Sequence, residues 1–200
     1  MRRVRGLGTE RLKRTYQTTF WFDGVEPSCW PECAILALRS HLPSPRGVAG
    51  AEWWLSRMFA TNVQVDFHRD RDERRALRGG GEVHPTWSSV LFLNRVRGGA
   101  LAVTAEPPCE EAPARAPERF ACDLAAPRPN RFVVFDGRLT HGVLDAHNQI
   151  PQRPLREPAR LRLALIVNWW RKRPEGVPRF EESTAYRRLI VSHPRGTSPF

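Results

Sequence analysis

Apolar positions change their spacing partway along the chain. After a basic, weakly patterned stretch over 1–20, Phe20-Trp21-Phe22 is the first apolar cluster, an arm or edge strand. Ala34, Ile35, Leu36, Ala37 and Leu38 follow Pro31 and predict a short helix over 31–42, with proline in its first turn and Pro43-Ser44-Pro45 ending it. Trp53, Trp54 and Met58 recur at helical spacing, so 50–59 is expected to form a second helix. From residue 62 the period becomes two. Val63, Val65 and Phe67 alternate with Gln64 and Asp66, and further strands are expected over 87–94, 100–104, 131–135, 139–144 and 160–170. The segment 69–85 is charged and carries Gly79-Gly80-Gly81, 106–129 is rich in Pro and Ala, and 145–158 is polar; all three read as loops. A short helix is expected near 181–188.

Helices first and strands afterwards predict a mainly β, α+β domain with antiparallel connections. Short strands with turn signals and long loops point to a double-sheet jelly roll. The chain of 200 residues fits a single domain, with helical support over 1–60 packed on one sheet, a β core over 62–170 and an extension over 171–200. No run of apolar residues is long enough to span a membrane, and no apolar segment follows the basic N-terminus, so a cytoplasmic location is expected.

Composition removes several functions. The net charge of +11 comes almost entirely from Arg, because Lys occurs only at Lys13 and Lys172. Those Arg are scattered rather than gathered into a tract, which argues against a nucleic-acid footprint. A basic, aromatic-interleaved run occurs only at Trp169-Trp170-Arg171-Lys172-Arg173. There is no phosphate-binding glycine loop and no dinucleotide fingerprint. Cys29, Cys33, Cys109 and Cys122 lack zinc-pair spacing and read as free thiols of a reducing compartment.

The candidate chemistry lies in three fragments. His68-Arg69-Asp70 ends the strand that closes at Phe67, so one imidazole and one carboxylate project to the same side. His141 follows the Asp136-Gly137 turn and shares a strand face with Leu139 and Val143. Alone, an inward histidine is more often a core residue than a ligand. Together, two histidines and one carboxylate form the set that holds non-haem Fe(II) and leaves coordination positions open. Arg162 opens the last strand and is a candidate to meet a carboxylate with two parallel hydrogen bonds. Arg160 has the same strand parity, so parity does not choose between the two. Ser88, Ser89 and Asn168 are candidate polar neighbours, as are Asp72 and His84. Simple surface or backbone roles compete for each, and Asp72 reads as an exposed charge.

Taken in order, these pieces resemble the double-stranded β-helix core of the Fe(II)- and 2-oxoglutarate-dependent oxygenases, nearest its prolyl-hydroxylase-like branch of small bacterial members. The resemblance covers 62–170. It is carried by His68-Arg69-Asp70, Trp87-Ser88-Ser89-Val90-Leu91-Phe92-Leu93-Asn94, Gly98-Gly99-Ala100-Leu101, the segment 130–141 and Arg162-Leu163-Ala164-Leu165. The resemblance implies that His68, Asp70 and His141 bind Fe(II) and that Arg162, with the small Ala164 two residues on, binds 2-oxoglutarate. It implies hydroxylation of an amino-acid, peptide or other small substrate by dioxygen, with release of succinate and carbon dioxide. The stretch between His141 and Arg162 is longer than that family's usual connection, the excess falling in the Pro-rich segment 148–158. Arg-rich loops favour an acidic or amino-acid-like substrate group. Two other classes fit parts of the sequence: a cupin-type metal-binding barrel without oxygenase activity, and a basic nucleic-acid-binding module.

Overall fold

The computed structural model describes residues 19–59, 67–105, 121–144 and 161–183. The described chain is mostly β, in two antiparallel sheets. In chain order the elements are β1 (Phe20–Phe22), α1 (Trp30–Arg39), β2 (Gly50–Phe59), α2 (Glu73–Leu77), β3 (Trp87–Phe92), β4 (Leu101–Thr104), β5 (Asp123–Ala125), β6 (Phe132–Asp136), β7 (Thr140–Val143) and β8 (Leu161–Trp170), followed by a 3-10 turn at Phe180–Glu182. One sheet has the order β1-β2-β8-β3-β6 and the other β5-β4-β7.

Period-two alternation gives the larger sheet two different faces. Phe20, Phe22, Ala51, Trp53, Leu55, Leu163, Leu165, Val167 and Trp169 form the main core with Ile35 of α1 and Phe180 of the C-terminal turn. The opposite face carries Val90, Phe92 and Ala164, which pack with Leu101 and Val103 of the smaller sheet and Phe135 of β6. Helix α1 covers the first face only. Pro31 lies in its first turn, where a missing N–H costs nothing, and Arg39 lies in its last turn.

The segment 50–59 departs from the expected helix. It is β2, paired over its whole length with β8, from Gly50 opposite Trp170 to Phe59 opposite Leu161. Trp53 and Trp54 satisfy both periods locally. The ten-residue partner strand decides between them, because each alternate side chain then finds either the core or the second sheet. Only one helix, α1, therefore lies among the described N-terminal residues, not a helical layer. Two expected loops contain structure as well: α2 in the charged segment and β5 in the Pro-rich one. The expected C-terminal helix is a single 3-10 turn as far as residue 183, and the rest of that segment lies outside the described residues. So do the expected strand positions 63–66. Among the described residues, no helix is long and apolar enough to cross a membrane.

Candidate metal centre

A cavity of about 440 Å³ opens between the sheets, lined from both sides by residues that include Glu52, Trp54, Ser56, His68, Asp70, Ser88, His141, Arg162 and Asn168. Its floor is set by strand parity. Arg162, Ile166 and Asn168 of β8 line it, as do His141 and Val143 of β7. Trp53 is buried in the main core, whereas its neighbour Trp54 faces the cavity.

His68, Asp70 and His141 come together, each offering one ligand atom within 4.8 Å of the others. The main chain does part of this work. His68 N donates to His141 O over 3.0 Å and His141 N to His68 O over 2.9 Å, an isolated antiparallel bridge that sets the two imidazoles side by side. Their ring centroids are 4.6 Å apart. The Asp70 carboxylate lies 3.3 Å from Nε2 of His141 and 3.6 Å from Nε2 of His68. Neighbouring ligands of an octahedral ion bound at about 2.1 Å stand about 3 Å apart, so small inward shifts would close the three around one ion. The donor set and its spacing could therefore hold a metal.

Supporting contacts orient two of the three groups. His141 Nδ1 lies 3.1 Å from Leu139 O. A proton on Nδ1 donates there and leaves the Nε2 lone pair facing the cluster. Ser88 Oγ donates to Asp70 Oδ2 over 2.9 Å. His84 Nδ1 meets the backbone oxygen of Asp70 at 2.7 Å, which fits the neighbouring role expected of it. Burial alone would raise the Asp70 pKa, but the imidazoles of His141 and His68 hold it well below the usual carboxylate range.

Arg162 is 1 % exposed. Its Nε donates to Gly99 O over 2.9 Å, and its Cζ stands 4.9 Å from the centre of the Phe92 ring. Gly99 has φ +64°, and a Cβ there would come within 3.1 Å of the Arg162 stem. Glycine thus serves both the turn and the approach of the guanidinium. Asn94 ties the preceding turn to β8, donating to Leu161 O over 2.7 Å and accepting from Leu163 N over 2.9 Å. Arg160, the alternative to Arg162, lies outside the described residues, as do Cys109 and His147. Among the described residues, Cys29 is buried and Cys33 half-buried, and neither forms a disulfide.

Asp72 and Ser88 differ from expectation, whereas Ser89 takes the expected backbone role. Asp72 is buried rather than exposed, because it caps α2 by accepting from Arg75 N at 3.1 Å and also accepts from Glu175 N at 3.0 Å. Ser88 and Ser89 divide the work of their strand. Ser88 faces the cavity, and Ser89 bonds Val167 O while accepting from the Trp169 indole. Glu52 and Ser56 were not singled out from the sequence because they lay in the segment expected to be helical. The alternation of Ala51, Trp53 and Leu55 with Glu52 and Ser56 was the available signal.

No family model matches the chain, and no curated protein matches it. Among solved structures, it is similar to a prolyl-4-hydroxylase of Pseudomonas putida, with 22% identity over 86% of this chain and 80% of that one and a TM-score of 0.43. It is also similar to an oxidoreductase of the 2OG-Fe(II) oxygenase family from Burkholderia pseudomallei, with 16% identity over 74% of this chain and 62% of that one and a TM-score of 0.39.

Proposed function

We propose that this chain is a non-haem Fe(II)- and 2-oxoglutarate-dependent dioxygenase with a double-stranded β-helix core, hydroxylating an amino-acid, peptide or other small substrate. The observation that carries the proposal is the gathering of His68, Asp70 and His141 in one cavity with the buried Arg162. His68, Asp70 and His141 would hold the iron and leave its other positions to cosubstrate and dioxygen. Arg162 would meet the far carboxylate of 2-oxoglutarate. When bound, iron and 2-oxoglutarate supply the oxidation: dioxygen gives one oxygen atom to succinate, carbon dioxide leaves, and the other oxygen atom enters a C–H bond of the substrate.

The protein's own contribution is positional. Ser88 fixes the Asp70 carboxylate, Leu139 O fixes the His141 ring, and Gly99 O fixes the Arg162 guanidinium. Val90, Leu101, Phe135, Val143 and Ile166 give the cavity apolar walls. Arg69 also lines the cavity and favours an acidic or amino-acid-like group on the substrate. A cupin-type barrel accounts for the donors but gives no role to a buried arginine beside them.

The test is spectroscopic. Anaerobic addition of Fe(II) and 2-oxoglutarate should produce a weak visible metal-to-ligand charge-transfer band, and His68→Ala should abolish it. A folded wild-type protein without the band would favour the cupin-type reading.

A further inference from the structure

A single cross-strand row connects the candidate metal centre to the far side of the cavity. Glu52 of β2 stands opposite Asn168 of β8, and Asn168 stands opposite Ser88 of β3. All three line the cavity. Ser88 ends the row against the Asp70 carboxylate. Adjacent strands lie about 4.8 Å apart, so the backbone of Glu52 is about 10 Å from that of Ser88. Arg162 is far from this row, six residues along β8 from Asn168, or about 20 Å of strand. The cosubstrate end and the Glu52 end of the cavity are therefore different places.

Glu52 is held by neutral donors alone. Thr19 Oγ1 donates to Oε1 over 2.6 Å and the Trp170 indole donates to Oε2 over 3.2 Å. A carboxylate offers about four acceptor positions, so these two donors leave capacity toward the cavity. Among the described residues no Lys, Arg or His forms an ion pair with it. Burial pushes its pKa up to about 7 against the lowering bond from Thr19, and the negative charge of Asp70 adds to the rise. Next to it, Asn168 is 2 % exposed and its Oδ1 has no hydrogen-bond partner among the described residues. Glu52 itself is half-buried. Buried polar atoms nearly always have partners, and carboxylates drawn out of water nearly always have cations. Here both vacancies fall on adjacent strands and face the same cavity.

We propose that the Glu52–Asn168 pair is the recognition site for the substrate, and that the group it takes is a cationic nitrogen, an ammonium or guanidinium. A neutral donor would satisfy Asn168 and leave the Glu52 charge uncompensated, whereas a cation with several N–H groups settles both. The name "substrate" rests on the oxygenase reading, but the binding event does not. A nitrogen anchored at this pair leaves the rest of the molecule running along the row toward Ser88 and Asp70. With Arg69 elsewhere on the lining, the cavity suits a molecule carrying both charges.

The test titrates the full chain with four short-chain probes: n-butylammonium, n-butylguanidinium, neutral n-butylurea and n-butyrate. NMR follows the Trp170 indole N–H and the Asn168 side-chain amide. The two cations should shift both signals and bind at least ten-fold more tightly than the urea or the carboxylate. Glu52→Gln, checked for folding by its methyl spectrum, should lose that preference. Equal binding of cation and urea, butyrate matching the cations at these signals, or no shift with any probe would overturn the proposal, and the wild-type comparison decides even if the variant does not fold. Absence of the iron–cosubstrate band in the same preparation would count against the oxygenase reading while leaving a measured cation preference in place.

Discussion

Glu32 makes the stability of this fold depend on pH in a direction opposite to that of ordinary acid denaturation. It lies in the first turn of α1 and is 1 % exposed. Its Oε2 accepts from Ser28 N at 2.7 Å and its Oε1 from the Trp53 indole at 3.2 Å. Burial outweighs both bonds and raises its pKa from 4.5 to about 7. The folded state thus holds this proton more tightly than the unfolded chain does. Glu32 therefore contributes most to stability below pH 4.5, and the contribution is lost as pH rises through 7. At about 1.4 kcal/mol for each factor of ten in proton affinity, the loss is about 3 kcal/mol. Glu32→Gln removes the titration while keeping the shape. Denaturant unfolding at pH 5 and pH 8 should show the wild type losing about 2.5 kcal/mol more than the variant over that interval. The raised pKa of Glu52 slopes the same way but is present in both proteins, so it cancels in the difference. Equal pH slopes for the two proteins would refute the reasoning.

Three further outcomes follow from contacts around the cavity. Ser88→Ala removes the bond to Asp70 and should weaken metal binding about 10- to 100-fold in competition titrations; unchanged affinity would mean that Ser88 does not position the carboxylate. Arg162→Leu should leave Fe(II) affinity intact but raise the 2-oxoglutarate concentration needed for the charge-transfer band by at least about 30-fold, the low end of losing a buried charged partner. Saturation at the wild-type concentration would remove Arg162 from that role. Gly99→Ala puts a side chain at positive φ and against the Arg162 stem, so a loss of about 1–2 kcal/mol in denaturant unfolding is expected, with a weaker cosubstrate band. Wild-type stability would show that the turn yields freely.

Parts of this arrangement are visible in the sequence because strands convert residue parity into direction. Arg162 and Asn168 share a parity, as do His141 and Val143, and each pair lines the same cavity. The order of His68, Asp70, His141 and Arg162 marks the candidate residues before any fold is known, and the fold brings the first three together. Hidden from the sequence was everything that depends on which strand lies beside which. β2 is ambiguous in the sequence because its consecutive tryptophans fit two periods, and only pairing with β8 gives Glu52 its place opposite Asn168. Ser88 is one of two adjacent serines, and strand register alone tells which reaches Asp70. Asp72 looks like a solvated charge until α2 and Glu175 supply the N–H groups that bury it.

The paired backbone bonds between His68 and His141 make two of the three donors a property of the peptide chain itself. The ordering cost of bringing residues so distant in sequence together is met when the sheets form. An ion bound there would meet donors that the folded sheets already bring close and would need only to draw them slightly inward. Such an ion would be a guest of the scaffold rather than a staple, and its removal by a chelator should leave the sheets folded, in contrast to small domains whose metal is their core.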